Sequence, residues 1–552
     1  MNAAMRTSPA TLSTLLGGAA LALLGCSSSS ADTPTDATTP PDDSGVADGG
    51  ARDTAVGGDG GGLDAARTDA DARSDGGGLD AKDIGGDGGD GGAVDCGPLS
   101  GHLVRARDFL DAWGVVFDPT STDDLATTAK RLDEIGVRRL RAQLSITGLD
   151  PWKTLQAQMK SQHFARPRLH FEALVNAYNG EPGATPPSWT DQKGPLLDAA
   201  RAGLLTAIEG PNEIGNPYVG HGSHGVEDTT DQTGNWAGPD GNLSHWATAI
   251  HAWKAGLSGA DAAAMAGVQL VAPSIASGLH DDYRKLPDLT DRVDLGNLHF
   301  YAGNGLQPNV AFGADNPDVG YFANLYAWCR AGMTPTRPLV LSEYGASTPP
   351  GDQYSLHAQA AYVLNQMHDA AGIGAARFYV YTLFDPSTGS PGVEPNFGIF
   401  TTDKSDKPAA VALSNVKHLF SLGLDYAAPA NESDTICFAP GYDGAVLRVD
   451  GIGESGHSSR VADAVVFPKS DGTTVISVTN EPTLSDGKGG DLTPAVVTAT
   501  VHFGSAQTWH RYDVFGATPR VPVASGTGES VDVPLTGYPQ YLLLDAPPGY
   551  HP

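Results

Sequence analysis

The 552-residue sequence predicts an α/β fold: a (β/α)8 TIM barrel with an appended antiparallel β-sandwich. Two observations support this prediction. Between about residues 111 and 383, short apolar runs alternate with amphipathic stretches, as in parallel βα units. After about residue 425, short β-prone runs are separated by Gly, Pro, Asp and Asn, without a helical period. The first pattern alone also fits a doubly wound open sheet.

The N-terminal segment has the composition of an export signal. Arg6 precedes an uncharged run over residues 10–25, which is shorter than the roughly 20 residues of a membrane-spanning helix. The run ends in Leu23-Leu24-Gly25-Cys26, which resembles the bacterial lipobox. This resemblance implies a lipoprotein signal peptide over residues 1–26 and lipidation at Cys26. An ordinary secretory signal is the alternative.

Residues 27–95 predict a disordered Asp/Gly-rich tether. They contain 16 Asp, 17 Gly and no aromatic residue, so they bury too little apolar area to offset the entropy of ordering. The remaining boundaries are a catalytic barrel over 96–424 and a C-terminal sandwich over 425–552. The whole chain has a formal net charge of -30, which argues against nucleic-acid binding because that needs cations to replace phosphate counterions.

The predicted elements follow one another at regular intervals. The barrel strands are expected at 113–117, 137–144, 168–174, 204–209, 268–272, 293–299, 338–342 and 376–383. Helices are expected at 123–135, 151–161, 243–257 and 354–371; Ser121 or Thr122 can cap the first of them, and Gly136 follows its end.

The sandwich runs are 435–449, 464–467, 473–479, 495–503, 508–514 and 541–544. We also expect residues 96–110 to be able to add a strand to this sandwich. That arrangement would bring Cys96 near Cys437, and the two could be bridged in an exported protein.

Two predicted strand ends carry carboxylates. The fourth barrel strand is followed by Gly210-Pro211-Asn212-Glu213, and the seventh ends in Ser342-Glu343. The C-terminal ends of barrel strands share one face, where barrel enzymes place their active sites. Glycoside hydrolysis needs such a pair, because one carboxylic acid protonates the leaving oxygen while one carboxylate attacks the anomeric carbon. Glu209, inside the fourth strand, is the alternative to Glu213.

These residues resemble clan A of the glycoside hydrolases, the retaining enzymes with catalytic glutamates after barrel strands four and seven. Asn212-Glu213 matches the clan's acid/base motif, and Glu343 matches its nucleophile. His299-Phe300-Tyr301 is similar to the end of the clan's sixth strand. The segment 396–400 with 407–409 is similar to its exit from strand eight.

The resemblance also implies roles for the surrounding residues. Arg141 corresponds to an inward arginine of the second strand, and His299 and Tyr301 belong to the site, with Tyr301 bonded to the nucleophile. Asn212 is expected to bond the sugar 2-hydroxyl. Trp113 and Tyr381 are candidates for stacking on a sugar ring, with core packing as the alternative for each.

The sequence thus predicts a retaining glycoside hydrolase that cleaves β-linked glycans with two glutamates at the cell surface. We expect an exported monomer, attached to the bacterial outer membrane or cell surface through its lipid anchor alone. Its partner is a carbohydrate substrate, and it needs no cofactor and no metal. A transglycosylase on the same site and a catalytically silent glycan-binding lipoprotein are the alternatives.

Overall fold

A computed structural model describes most of the chain from Val104 onward. The predicted signal and tether lie outside the described residues, as do Cys26, Cys96 and Cys437. The described ranges are 104–122, 124–143, 148–161, 169–175, 189–213, 242–274, 286–302, 307–308, 322–351, 353–387, 389–422, 448–450, 464–469 and 471–546.

Eight parallel strands form the first sheet. They are β1 (Trp113–Val116), β2 (Arg139–Gln143), β3 (His170–Leu174), β4 (Leu205–Glu209), β5 (Gln269–Val271), β6 (Gly296–Phe300), β7 (Leu339–Tyr344) and β8 (Arg377–Val380). Sequence neighbours pair from β1 to β5 and from β6 to β8, and β1 also pairs with β8. A parallel bridge between Val271 and Leu295 joins β5 to the start of β6 and closes the ring. The predicted barrel is therefore confirmed, and the open-sheet alternative is excluded.

The helices surround this barrel. They are α1 (Ala106–Ala112), α2 (Leu125–Glu134), α3 (Asp150–Ser161), α4 (Trp189–Arg201), α5 (Asn242–Ala255), α6 (Gly259–Met265), α7 (Phe322–Met333), α8 (Leu356–Gly372) and α9 (Pro408–Ser421). The four predicted helices correspond to α2, α3, α5 and α8. The expected strand before the barrel is wrong for its described part, since residues 106–112 form α1. Its buried Ala106, Phe109 and Leu110 have the spacing of one helical face.

The strand register explains which side chains enter the barrel. Along each strand, successive side chains point to opposite faces. Val116 lies beside Arg141 in the β1–β2 pair, and Val116 packs on an apolar cluster that includes Ala207, Val271 and Tyr379. The alternate strand residues join a separate and larger cluster with the helices.

Six antiparallel strands form the second sheet. They are β9 (Arg448–Asp450), β10 (Ala464–Pro468), β11 (Thr474–Val478), β12 (Val497–Tyr512), β13 (Ala524–Leu535) and β14 (Gln540–Leu544). The predicted runs 495–503 and 508–514 are parts of the single strand β12, and β13 was not predicted. The register of β12 and β13 shifts between His502 and Gln507. Apolar side chains on both sides of this shift share one cluster with β10, β11 and β14, as expected for a sandwich.

The sheet packs directly on the barrel helices. Phe467 of β10 stacks on Phe109 of α1 and on Phe420 of α9, with ring centroids 4.7 and 4.9 Å apart. Polar contacts also cross this boundary, because Nδ1 of His368 in α8 lies 2.8 Å from Ser477 Oγ in β11. Among the described helices, none combines the length and the apolar character needed to cross a bilayer.

Candidate active site

Two glutamates meet at the C-terminal end of the barrel. Glu343 lies near the end of β7 and Glu213 four residues after β4, and both side chains are buried. One carboxylate oxygen from each, together with one ring nitrogen of His299, lie within 4.8 Å of one another. The structure therefore brings together the pair that the strand ends predicted.

An irregularity in β7 aims Glu343 at the barrel axis. The β7–β8 register shifts between Leu341 and Tyr344, and the β6–β7 register shifts between Leu298 and His299. In a regular strand, Ser342 and Glu343 would point to opposite faces. Here both side chains bond to residues of the site, because a bulge can re-aim one side chain.

The backbone at Glu213 is held in an unusual conformation. Its φ is +47°, which costs a non-glycine residue on the order of 1–3 kcal/mol and is found most often at functional sites. Its N–H donates to Ser274 Oγ at 2.8 Å, so the loop after β5 helps to fix this conformation.

Arg141 links two buried carboxylates. Its Nη1 donates to Glu343 Oε1 at 2.5 Å, and its Nε and Nη2 donate to the two oxygens of Glu209 at 2.5 and 2.7 Å. Burial alone would lower the pKa of Arg141, but the charges of Glu209 and Glu343 raise it well above its usual value. Nη2 also donates to Asn212 Oδ1 at 2.8 Å. Arg141 therefore keeps its charge and stabilises Glu343 as a carboxylate.

Glu209 is the ion-pair partner of Arg141 and lies beneath the catalytic pair. It has 0% exposure and accepts further hydrogen bonds from Asn297 Nδ2 at 2.8 Å and Ser342 Oγ at 3.1 Å. This carboxylate is therefore enclosed by protein groups and closed to solvent. The geometry thus favours Glu213 over Glu209 as the residue that meets a substrate.

Tyr301 binds the other oxygen of Glu343. Its hydroxyl donates to Glu343 Oε2 at 2.8 Å. Burial, and then the charge of Glu343, raise the pKa of Tyr301 well above its ordinary value, so the hydroxyl remains a donor. The Tyr301 ring meets Tyr381 and Phe397 edge-on, with centroids 6.4 and 5.6 Å apart.

Both ring nitrogens of His299 lie within hydrogen-bonding distance of other groups: Nε2 is 2.9 Å from Ser342 Oγ and 3.4 Å from Arg141 Nη2, and Nδ1 is 3.0 Å from Glu213 Oε1. Asn297 Nδ2 donates to Glu209 Oε1 and to Ala272 O, so its Oδ1 is an acceptor that faces Ser342 Oγ at 2.6 Å. Ser342 Oγ has one proton and two acceptor oxygens within reach, Asn297 Oδ1 at 2.6 Å and Glu209 Oε1 at 3.1 Å. It donates to one of them and accepts from His299 Nε2, 2.9 Å away, in the tautomer that carries the imidazole proton on Nε2.

A neutral His299 with its proton on Nε2 has a bare Nδ1. This nitrogen lies 3.0 Å from Glu213 Oε1. Two acceptors at that distance need a hydrogen between them, and Glu213 supplies it when its carboxyl group is protonated. In this tautomer the contact suits a protonated Glu213, beside a Glu343 whose two oxygens accept from Arg141 and Tyr301.

Trp113 does not belong to this site, and its prediction as a sugar-stacking residue is wrong. Its side chain is 2% exposed, packs in the helix-facing cluster and donates from Nε1 to Gly136 O at 3.3 Å. The β1–β8 register places it beside Phe378, which is in the same cluster. Tyr381, in contrast, lies beside Tyr301 at the rim of the site and is partly exposed.

Several residues of the site were missed by the sequence analysis. Ser342 and Asn297 are polar residues inside buried strands, and such a residue in an apolar run is a signal of a polar network. Glu394 belongs to a single 3-10 turn, Glu394–Asn396, in the loop between β8 and α9. No pattern in the sequence distinguishes it from other acidic loop residues.

The fold of this chain is similar to those of solved glycoside hydrolases. A family 39 glycoside hydrolase from Bacteroides cellulosilyticus WH2 is 14% identical, with a TM-score of 0.46 over 79% of this chain and 82% of the other. A glucosidase from Croceicoccus marinus is 12% identical, with a TM-score of 0.45 over 80% and 97%. A GH30 endoxylanase from Clostridium papyrosolvens C71 is 12% identical, with a TM-score of 0.43 over 79% and 96%. No protein-family model and no curated protein matches the chain.

Proposed function

We propose that this protein is a retaining glycoside hydrolase that cleaves β-linked glycans. The supporting observation is the pair Glu213 and Glu343, whose carboxylate oxygens come within 4.8 Å of each other. Retaining enzymes hold their two carboxyl groups about 5–5.5 Å apart, whereas inverting enzymes leave about 6.5–9.5 Å for a water molecule. The spacing supports direct attack by one carboxylate.

In the first step, Glu343 attacks the anomeric carbon while Glu213 gives its proton to the glycosidic oxygen. The bond between that carbon and oxygen breaks, and the leaving sugar departs as an alcohol. Glu343 loses its negative charge as the ester forms, and Glu213 gains one. Arg141 and Tyr301 hold the two Glu343 oxygens and thereby orient the attacking lone pair.

In the second step, the ionised Glu213 removes a proton from water, which attacks the anomeric carbon of the glycosyl ester. Glu343 leaves as a carboxylate and is again stabilised by Arg141. The two inversions give net retention of configuration. Glu213 ends the cycle protonated, bonded to the bare Nδ1 of His299.

Two substitutions test this mechanism. Glu343→Ala should abolish hydrolysis of every β-glycoside that the wild-type protein cleaves. Glu213→Ala should slow hydrolysis strongly for substrates with poor leaving groups, and added azide should restore turnover by giving the β-glycosyl azide. Proton NMR of the first product should show the β-anomer.

The matched control is Glu529→Gln, which removes one carboxylate from the exposed side of β13. Its activity should equal that of the wild type. Full activity in Glu343→Ala would contradict the proposal. Binding of a glycan without any cleavage by the wild type would favour a silent glycan-binding protein instead.

We also propose that the enzyme is attached to the bacterial cell surface through a lipid on Cys26. The lipobox-like sequence before this residue and the tether-like composition of residues 27–95 support the proposal. Labelling cells with a radioactive fatty acid should mark the wild-type chain and not a Cys26→Ala variant. Equal labelling of both would refute it.

A further inference from the structure

A third carboxyl group lies beside the catalytic pair. Glu394 is half-buried on the 3-10 turn Glu394–Asn396. It lies close enough to the Tyr381 hydroxyl and to Glu343 and Glu213 for all three to affect its pKa. The proposed steps of hydrolysis do not use this carboxyl group.

The loop that carries Glu394 is held in place by Asn396. The Asn396 Nδ2 group donates to the carbonyls of Ser390 and Gly392 at 2.9 and 2.8 Å, and its Oδ1 accepts from the N–H of Gly389 at 3.0 Å. Gly389 has a φ of +74°, which this turn requires.

Residues outside this loop also hold it in place. The carbonyl of Asn396 accepts from the backbone N–H of Thr348 at 3.1 Å and from Lys407 Nζ at 3.3 Å. Lys407 itself pairs with buried Asp385 at 2.8 Å. Glu394 is thus fixed before any substrate arrives, which lowers the entropy lost on binding.

One oxygen of Glu394 is buried without a partner. Its Oε1 is inaccessible to solvent and makes no hydrogen bond to any residue in the described part of the chain. Leaving such a group unsatisfied costs about 1–3 kcal/mol. The carboxyl group of Glu394 thus has unused hydrogen-bonding capacity in the neighbourhood of the catalytic pair.

The charges around Glu394 favour its neutral form. Burial, and then the negative charge of Glu343 together with that of Glu213 when Glu213 is ionised, raise the pKa of Glu394 from 4.5 to about 8, and the Tyr381 hydroxyl opposes this shift. These three residues face it from the ends of β7, β4 and β8. At pH 6–7 the group is a carboxylic acid, which can both donate and accept a hydrogen bond as a sugar hydroxyl does.

We propose that Glu394 is a substrate-binding residue, whose carboxyl group pairs with a hydroxyl of an uncharged sugar held between Glu213 and Glu343. This inference rests on the proposed hydrolase function and specifies which group of the substrate is recognised. It makes Glu394 a determinant of specificity for a hydroxylated ring at that position.

The test uses the 4-nitrophenyl β-glycoside that the full-length wild-type protein hydrolyses best and that Glu343→Ala does not hydrolyse. At pH 6.5, Glu394→Ala should lower kcat/KM by about tenfold or more, as expected for one lost hydrogen bond in a buried site. Glu394→Gln should stay within about threefold of the wild type, because the amide is also neutral and also donates and accepts. Thermal unfolding of each variant checks that it is folded.

Two further measurements separate a binding role from a structural one. The ratio of kcat/KM for Glu394→Gln to that for the wild type should rise as pH increases through about 8, because only the carboxyl group then ionises. A last comparison uses analogues of the substrate that each lack one hydroxyl. Removing the hydroxyl that pairs with Glu394 should lower kcat/KM in the wild type but not in Glu394→Ala, and this identifies that hydroxyl.

Three results would overturn the inference while leaving the hydrolase function intact. They are full activity in Glu394→Ala, equal losses in Glu394→Gln and Glu394→Ala, and no coupling to any deoxy analogue. Equal losses would indicate that the carboxylate charge is needed, as for an amino sugar. If the wild type cleaves no glycoside, or Glu343→Ala cleaves as well as wild type, the hydrolase proposal itself fails.

Discussion

Replacing Ser342 with alanine should make Glu213 a weaker proton donor, although Glu213 itself is unchanged in this variant. When His299 carries its proton on Nε2, Ser342 Oγ accepts a hydrogen bond from that nitrogen at 2.9 Å and donates to Asn297 Oδ1 at 2.6 Å or to Glu209 Oε1 at 3.1 Å. With Ser342→Ala, the Nε2 proton loses its acceptor in a buried site. His299 can then move its proton to Nδ1 and donate to Glu213, which stabilises the carboxylate instead of the acid.

The size of this effect follows from the two hydrogen bonds that change. A buried donor without an acceptor costs about 1–3 kcal/mol, and a hydrogen bond to a charged group contributes about 1.5–3 kcal/mol. The protonated form of Glu213 should therefore lose about 1.5–3 kcal/mol relative to the carboxylate. Since 1.36 kcal/mol is a factor of ten, we expect a fall of about 10–100-fold in kcat/KM wherever proton donation limits the rate.

The assay compares two leaving groups on the same sugar. An unactivated alkyl glycoside needs the proton from Glu213, so its kcat/KM should fall by the full amount. A 2,4-dinitrophenyl glycoside leaves without protonation, so its kcat/KM should change by less than about threefold. The control is Ser477→Ala, which breaks a similar buried Ser–His contact, 2.8 Å from His368, between α8 and β11. Equal falls for both leaving groups in Ser342→Ala would refute the reasoning.

Three other substitutions probe the site and its supports. In a urea titration, Arg141→Met should lower the free energy of unfolding by about 3–5 kcal/mol, because it leaves two buried carboxylates unpaired. The control Arg201→Met, which removes an exposed ion pair, should lower it by less than about 1 kcal/mol. Trp113→Phe should reduce stability by about 1–3 kcal/mol in that titration and leave kcat/KM within about twofold, since its indole packs against helices; a large loss of activity would show the assignment to be wrong. Glu394 has a raised pKa of about 8 in the folded protein, so the stability it contributes is complete below about pH 4.5 and is lost as pH rises to 8. The free energy of unfolding of Glu394→Gln, minus that of the wild type, should therefore increase over this range by at most about 1.4 kcal/mol per pH unit. A difference that does not change with pH would contradict the raised pKa.

The alternation of strands and helices in the sequence predicted a barrel, with an open sheet as the alternative that only the β1–β8 pairing and the β5–β6 bridge exclude. It also predicted the two strand ends that carry Glu213 and Glu343, because the ends of parallel strands meet on one face. The unpredicted elements have identifiable causes. β13 contains Gly526, Gly528 and Pro534, which are depleted in strands, and α1 lies in a segment that was interpreted as a strand.

The predictions for the site were wrong or incomplete where they depended on the direction in which a side chain points. Whether Trp113 faces the helices or the barrel interior depends on strand register, which apolar runs do not reveal. The bulge that turns both Ser342 and Glu343 toward the site is equally invisible in the sequence. Glu394 reaches the pair only because an asparagine folds its loop back across the barrel end.

Charge balance connects these separate observations. Four carboxyl groups lie in or beside one site, those of Glu209, Glu213, Glu343 and Glu394. Arg141 is the arginine that pairs with two of them in the described part of the chain. One buried cation bonded to both Glu209 and Glu343 can stabilise those two as carboxylates, but a third or fourth buried negative charge would have no counterion. The remaining two groups are therefore favoured as acids: Glu213, whose Oε1 lies 3.0 Å from His299 Nδ1, and Glu394, which lies near the Tyr381 hydroxyl. The same arginine that prepares the nucleophile thus leaves Glu213 with the proton that the leaving group needs.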